Sequence, residues 1–216
     1  MGSYILYPLI SFPKSKIGVM NKFSLRACGA TCGVGHYTQQ THRKLYGVWF
    51  NMIERCYDEK FQSRHKSYIG CSVCSEWLNF QSFARWYESQ NAPMGWHIDK
   101  DIRFKGNKVY SPETCGLVPP EVNKMFVCQK HTKHDLPLGV FYKPRYTKSG
   151  KFTHYDIFAS CKNAEGKQIH LGYFKSVDEA AIAYKQFKMG VISSLAEKYC
   201  NELTDVMYNA LINYQL

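Results

Sequence analysis

The most constraining feature of the sequence is a run of three short alternating segments in its C-terminal half. Within each segment apolar and polar side chains alternate, which is the period of a β-strand with one buried face. Turns rich in Gly, Asn, Ser and Lys separate the segments. This pattern predicts an antiparallel sheet that is covered on one face and exposed on the other. The three predicted strands are residues 139–143, 155–161 and 168–174.

A helix is predicted directly after the third strand. Ser176 and Glu179 form a capping-box pattern, in which the serine side chain accepts from first-turn amides and the glutamate reaches back to the serine amide. Apolar side chains then recur at helical spacing, and Gly190 is suited to end the helix. Residues 138–192 are therefore predicted to form a three-stranded antiparallel sheet that packs on one helix.

The exposed face of this sheet is predicted to bind double-stranded DNA. The chain has 28 Lys and Arg against 17 Asp and Glu, and a net charge of +11 favours a polyanionic partner. Lysines at the rims and turns would hold phosphates, and strand side chains would touch base edges. The alternatives are an RNA or protein partner, or a solvated face with ordinary surface lysines. The predicted DNA-binding residues are Lys143, Arg145, Lys148, Lys151, Phe158, Ser160, Lys167, Gln168 and His170.

Several short motifs in this stretch resemble those of AP2 domains. The resemblance covers about fifty residues and implies binding in the DNA major groove through the sheet. Phe141 stands where plant members usually carry an arginine, and His170 stands where they carry a tryptophan. The sequence preference of those members therefore does not carry over. The matching motifs are Gly139-Val140, Gly166-Lys167, His170-Leu-Gly-Tyr-Phe174 and Glu179-Ala-Ala-x-Ala-Tyr184.

The N-terminal half is predicted to form a second mixed unit, so the whole chain is assigned to the α+β class. An apolar stripe predicts an amphipathic helix from Lys44, and Ser75 is placed to cap a second helix. Strands are predicted at 96–104 and 114–118, and Pro119-Pro120 opens a short helix after them. The predicted divisions are an ill-defined arm at 1–43, this unit at 44–127, a basic linker at 128–137, the sheet module at 138–192 and a C-terminal helix at 193–216.

The order strand, loop, strand, helix resembles the HNH, or His-Me finger, nucleases of phages and mobile introns, which often carry a C-terminal AP2 domain. In that family a histidine deprotonates a water that attacks a phosphate, and a few oxygen donors hold one Mg²⁺. The resemblance assigns Asp99 and Asn123 as the Mg²⁺ ligands. The motifs are Asp99-Lys-Asp101, Tyr110-Ser-Pro-Glu-Thr-Cys115, Trp49-x-x-Met52-x-x-Arg55-Cys56-Tyr57 and Val73-Cys-x-Glu-Trp77.

The general base of this expected site is left open by the sequence. Lys100 stands where the family has histidine, and a lysine with an ordinary pKa of about 10.4 is protonated. Thr114 likewise stands where the family usually has asparagine. One interpretation is that His97, on the same side of the strand as Asp99, acts instead. A second is that burial lowers the pKa of Lys100, and a third is that the site grips DNA without cutting it.

Two functions follow from these interpretations. The first is a metal-dependent HNH-type endonuclease that cleaves double-stranded DNA and is targeted by the AP2-like module. The alternative is a catalytically inactive phage DNA-binding or regulatory protein on a degenerate nuclease scaffold. The predicted C-terminal helix either packs back on the chain or forms a dimer contact, and the sequence leaves the oligomeric state and the target site open.

The nine cysteines come without an export signal, which predicts a reducing, cytoplasmic location, in the bacterial host if the protein is phage-encoded. Cys71-Ser-Val-Cys74 has the spacing of zinc ligands, so a structural Zn²⁺ is one hypothesis and core packing is the other. The stretch from Cys28 to His42 has ligand types but an irregular spacing, and a flexible arm is preferred there. The apolar residues 4–12 are too few to span a membrane. The zinc candidates are Cys56, Cys71, Cys74 and Cys115.

Overall fold

Residues 25–126 and 136–216, which are those that the computed structural model describes, contain six α-helices and seven β-strands. The helices are α1 (Arg43–Tyr57), α2 (Glu59–Arg64), α3 (Phe80–Ser89), α4 (Pro120–Phe126), α5 (Val177–Lys198) and α6 (Asp205–Ile212). The strands are β1 (Ser72–Val73), β2 (His97–Asp99), β3 (Val109–Tyr110), β4 (Gly116–Val118), β5 (Val140–Tyr146), β6 (Phe152–Lys162) and β7 (Gln168–Phe174). The α+β class is thereby confirmed.

The larger of two hydrophobic cores lies in the N-terminal half, around α1 and α3. The apolar stripe predicted on the first helix is buried along its whole length, as expected for an amphipathic helix against a core. Trp49 is completely buried, and its indole nitrogen donates to the Trp77 carbonyl at 2.7 Å. The stripe consists of Leu45, Trp49, Met52, Ile53 and Cys56.

Two local predictions in this half are wrong. Ser75 does not cap a helix; a short 3₁₀ turn intervenes, and α3 begins after Asn79, whose side chain accepts from the Gln81 amide at 2.9 Å. The predicted strand 96–104 is also cut short at Asp99, because that side chain accepts from two following backbone amides and turns the chain. In both places a short polar side chain competes for backbone hydrogen bonds.

Residues 25–42 lie against the first core, although the sequence predicts only an ill-defined arm. Thr31 forms a bridge with Asn79, and Ala30 is buried. The Gln81 side chain donates to the carbonyls of Cys32 and Tyr37 at 2.8 and 2.6 Å. One buried amide therefore holds a loop that has little regular structure of its own. The rest of the predicted arm, 1–24, lies outside the described residues.

The second core lies between the three-stranded sheet and the first half of α5. Strands β5, β6 and β7 pair in antiparallel order, which confirms the predicted sheet on one helix. Ser176 accepts from the Glu179 amide at 3.1 Å, but the glutamate reaches the Lys175 amide instead of that of Ser176. The buried residues of this core are Val140, Ala159, Cys161, Ala180 and Tyr184.

Helix α5 belongs to both cores. It does not end at Gly190 but continues to Lys198, and its second half contributes Ile192 and Leu195 to the first core. The following helix α6 packs back on the same core, where Met207 covers Gly116 so closely that a Cβ there would overlap it. The predicted C-terminal helix is thus the end of α5 followed by α6.

Part of the predicted basic linker, up to residue 135, lies outside the described residues. Within the described ranges, none of the helices has the length and apolar character needed to cross a membrane.

Candidate functional site

The strand–strand–helix unit brings two of the predicted catalytic residues into contact. Strands β2 and β4 pair antiparallel, with His97 opposite Val118 and Asp99 opposite Gly116. The chain then enters α4, which carries Asn123 back toward β2. The Asn123 amide nitrogen lies 3.0 Å from His97 Nδ1.

His97 has the electrostatic character of a neutral imidazole. Partial burial lowers its pKa below the ordinary value, and the positive charges of Arg55 and Lys124 lower it further. A neutral ring at neutral pH is able to take a proton, which is what a general base requires. The histidine is also solvent-exposed, so a substrate can reach it.

The contact between His97 and Asn123 restricts which of them can act as a general base or as a metal ligand. If the amide nitrogen donates to Nδ1, the basic nitrogen of neutral His97 is occupied and the Asn123 oxygen is available to a cation. If the amide is flipped, its oxygen accepts from Nδ1–H and the histidine Nε2 is available as a base. In either orientation, therefore, Asn123 cannot both leave His97 free to act as a base and offer its own oxygen to a metal ion.

Asp99 is partly committed to the backbone. Its Oδ1 accepts from the amides of Asp101 and Ile102 at 2.8 and 2.7 Å. Burial raises the pKa of Asp99, and these two hydrogen bonds oppose that rise. The second carboxylate oxygen and the Asn123 amide oxygen are hard donors of the type that Mg²⁺ prefers. The described residues contain no group of three or more His, Cys, Asp or Glu side chains placed to hold a metal.

The side-chain nitrogen of Lys100 is held by hydrogen bonds within the loop that follows β2. Its side chain is buried, and its ammonium donates to Asp101 at 2.7 Å and to the Asn107 carbonyl at 2.6 Å. The Asn107 side chain in turn donates to the Lys100 carbonyl at 3.0 Å. Lys100 thus ties the loop after β2 together. Thr114 is similarly occupied, since its hydroxyl donates to the Val109 carbonyl at 2.7 Å.

Two cations near His97 are absent from the set of predicted site residues. Arg55, on α1, places its guanidinium 5.6 Å from the centre of the Tyr68 ring and hydrogen-bonds Tyr110. Lys124 is exposed on α4, one residue after Asn123. Neither takes part in the ion pairs found among the described residues. The sequence signal for Arg55 is its place in the motif Trp49-x-x-Met52-x-x-Arg55-Cys56-Tyr57.

The four zinc candidates are reduced and occupy the first core. Cys56, Cys71 and Cys115 are buried, and Cys74 is half-buried. Burial raises the pKa of the Cys56 and Cys115 thiols to about 12, which disfavours the thiolate that a metal needs. These observations support the core-packing interpretation of the cysteines, and the zinc site stays a prediction.

The outer face of the C-terminal sheet carries a row of aromatic rings. Phe158, on the central strand, lies opposite Phe141 on β5 and Tyr173 on β7. Its ring stacks on Phe141 with centroids 5.2 Å apart and on His170 with centroids 5.4 Å apart. We call these four residues, Phe141, Phe158, His170 and Tyr173, the aromatic row.

Tyr173 reaches this face because β7 contains a bulge. Ala159 pairs with Gly172 but Ser160 pairs with His170, so Leu171 is an extra residue in β7. Strict alternation would place Tyr173 on the helix side, whereas the bulge puts it beside His170 on the outer face. Gly172, with φ of 129°, provides the backbone conformation. A glycine inside a strand is the signal that would have indicated the bulge.

Two of the predicted cations are organised around Tyr173. Lys143 donates to its hydroxyl at 3.1 Å, and the Arg145 guanidinium lies 5.6 Å from its ring centre. Arg145 also forms an ion pair with Asp156, and its hydrogen bond lowers the pKa of that carboxylate. His154 contacts the other oxygen of Asp156 at 3.2 Å.

The remaining predicted DNA contacts fall into two groups. Lys148, Lys151 and Lys167 are exposed in or beside the turns that join the strands. Ser160 is instead buried, and its hydroxyl accepts from Gln168 at 2.8 Å. The lysines are therefore available to a partner. Ser160 is covered, and exposed Gln168 uses one of its donors on it.

No protein-family model matches the chain, and neither the curated proteins nor the solved structures contain a match.

Proposed function

We propose that the protein binds double-stranded DNA through the outer face of the β5–β6–β7 sheet, in the manner of an AP2 domain. The observation that carries the proposal is the aromatic row with cations held beside it. The rings of the aromatic row are at least partly exposed. They do not belong to the second core, which lies on the helix-covered face of the sheet. Such a surface, rimmed by Lys143, Lys148, Lys151 and Lys167, fits a partner with flat bases and regularly spaced phosphates.

A second candidate function is phosphodiester cleavage by the strand–strand–helix unit, as in HNH nucleases. The specific observation in its favour is the contact between His97 and Asn123 beside Asp99. His97 would take a proton from the attacking water, and Arg55 and Lys124 would attract the phosphate. Asp99 and Asn123 would hold an Mg²⁺, which would supply charge for the leaving oxygen. Asn123 would have to leave His97 to do so, which would free the histidine to act as the base.

The inactive alternative also has an observation in its favour. Lys100, which stands in place of the family histidine, donates to Asp101 and to the Asn107 carbonyl, and these contacts make it less available as a base. His97 must then supply the base, and in the hydrogen-bonding arrangement described its Nδ1 is already engaged by Asn123. The scaffold would in that case position DNA without cutting it.

The DNA-binding proposal is tested by the salt dependence of binding. We expect the full chain to bind a short duplex with an affinity that falls steeply with salt, because bound lysines release counterions. The double substitution Lys143→Gln and Lys151→Gln should reduce the slope of log K against log salt by about two. Lys185→Gln, on the exposed side of α5, is the matched control and should leave the slope unchanged. Equal slopes in all three proteins, or preference for single-stranded RNA, would contradict the proposal.

Cleavage is tested by incubating the protein with supercoiled plasmid and Mg²⁺. An active nuclease should nick the plasmid, and His97→Ala should slow the reaction by about 10²- to 10⁴-fold. Asp99→Asn is preferable to alanine, because it keeps the oxygen that accepts from two backbone amides. Intact plasmid with Mg²⁺ and with Mn²⁺, while duplex binding is retained, would favour the inactive alternative.

A further inference from the structure

The centre of the proposed DNA-binding face is apolar. The Phe158 ring is the hub of the aromatic row, in contact with Phe141, with His170 and, at 6.1 Å between centroids, with Tyr173. It lies on the middle strand and is partly exposed, while Tyr173 exposes 49% of its surface. The charged groups lie to the sides of this hub.

Three polar side chains near the hub have partners within the sheet. Gln168 donates to Ser160, Lys143 donates to the Tyr173 hydroxyl, and Arg145 is paired with Asp156. Arg, Lys and Gln are the residue types that usually read guanine and adenine edges through hydrogen bonds. At the hub itself, a base pair would therefore meet the apolar ring of Phe158, with the imidazole of His170 beside it.

Only one group on the major-groove edge of an ordinary base pair is apolar, namely the 5-methyl group of thymine. We propose that the aromatic row selects DNA sites by contacting 5-methylpyrimidines, with Phe158 and Tyr173 as the contacting rings. This inference rests on the proposed function, since it requires that the sheet lie in the major groove of a duplex. The chemistry is shared by thymine and 5-methylcytosine, and the test below separates the two.

The expected size of the effect follows from the burial of one methyl group. Covering a methyl by an aromatic ring should strengthen binding by about three- to fivefold per thymine contacted. Two contacted thymines would multiply to a preference on the order of tenfold. The minor groove carries no methyl group, so a protein bound there would show no such preference.

The experiment compares duplexes that differ only in methyl groups. Sites are first enriched by the full-length protein from a pool of random-sequence duplexes. The enriched duplex is then made with thymine, with uracil in place of thymine, and with 5-methylcytosine in place of cytosine. We expect thymine-containing sites to be enriched and the uracil form to bind about three- to fivefold more weakly per contacted position. Improved binding by the 5-methylcytosine form would extend the specificity to that base.

Two variants connect the effect to the ring. Phe158→Ala should bring the thymine-to-uracil affinity ratio close to one, whereas Phe158→Leu keeps an apolar contact and should retain part of the preference. Phe104→Ala, which removes an exposed ring in the first half of the chain, is the matched control and should leave the ratio unchanged.

The outcomes distinguish the inference from the proposed function. One outcome is that the thymine and uracil forms bind equally while the Lys143 and Lys151 variant still shows a reduced salt dependence. That outcome overturns the inference but not the proposed function. A thymine preference that persists in Phe158→Ala also overturns it. A failure to bind any duplex overturns the proposed function and the inference together.

Discussion

The two cores of the molecule use their aromatic residues in opposite ways. In the first core the large rings point inward, and Trp49, Trp77 and Phe80 are completely buried. In the second region the buried set is small, and Phe158 and Tyr173 face outward. Exposed rings add little to stability, and contiguous exposed apolar surface usually marks a binding site. The comparison indicates that the first region is built around its interior and the second around its surface.

The two regions are nevertheless joined by one element. Helix α5 covers the sheet with its first half and enters the first core with its second half. Among the described residues, one face of the sheet is covered, and the helix that covers it is anchored by the other core, so the stability of the sheet depends on that core. Substitutions in each region and in α5 test this dependence.

Loss of the Trp49 side chain should have the largest effect. Trp49→Ala removes a completely buried ring and its hydrogen bond to the Trp77 carbonyl, and should lower the free energy of unfolding by about 3–5 kcal/mol. All four tryptophans lie before residue 97, so their fluorescence reports only the first region. Unfolding in urea can be followed by tryptophan fluorescence and by amide exchange in β5–β7. The loss of stability seen by the two probes should be the same if α5 couples the regions. An unshifted sheet would show that the two unfold separately.

Gly139→Ala should destabilise the sheet region next most strongly. Gly139 has φ of 75°, and a Cβ there would overlap the Tyr184 ring. The backbone conformation alone costs about 1–3 kcal/mol for a non-glycine residue, and the overlap adds to that cost. Gly150→Ala is the matched control, because its φ is 80° but a Cβ would meet open space. Equal losses of stability in urea unfolding would contradict the role assigned to Tyr184.

Gly190→Ala should stabilise the protein. The residue lies inside α5 with space for a Cβ, so the substitution should raise the free energy of unfolding by about 0.5–1 kcal/mol. The gain follows from the smaller entropy loss when alanine enters a helix. Gly166→Ala, in a turn with φ of 81°, should lower stability instead. A loss of stability from Gly190→Ala would indicate that the helix ends near residue 190.

The smallest expected effect concerns the contact between α4 and α5. Partial burial opposes ionisation of Glu121, but hydrogen bonds from Lys198 and Tyr199 outweigh it and hold the pKa of Glu121 below its ordinary value. The carboxylate therefore contributes stability above the unfolded-state pKa of about 4.3, and this contribution is lost as the pH falls through the lower folded-state value.

At neutral pH Glu121→Gln should cost at most about 1 kcal/mol, because the contact is partly exposed. The difference from the native protein should disappear at acidic pH in thermal unfolding measurements. Glu165→Gln, in an exposed turn, is the control and should show no such trend. A pH-independent loss in Glu121→Gln would show that packing, not charge, carries the contact.

The residue types in the sequence indicated which side chains could form the candidate site. They did not indicate which partners those side chains contact. The sequence predicted that Asp99 and Asn123 belong to one unit with the order strand, strand, helix. The contact of Asn123 with His97 depends on how α4 folds back. Lys100 shows the limit most clearly. Its position in the motif suggested chemistry, but its partners Asp101 and Asn107 make it part of a loop. Arg55 lies more than forty residues from His97 in the chain, so no local pattern connects them.

Three features could be predicted from local signals in the sequence, namely the stripe on α1, the strands of the C-terminal sheet and the Ser176 cap. These depend on periodicity and on hydrogen bonds within one turn, which neighbouring residues decide. The tertiary structure carries α5 past Gly190 and into both cores, because packing of Ile192 and Leu195 outweighs the weak helix preference of one glycine. It also decided that a bulge turns Tyr173 outward, since register is set between strands.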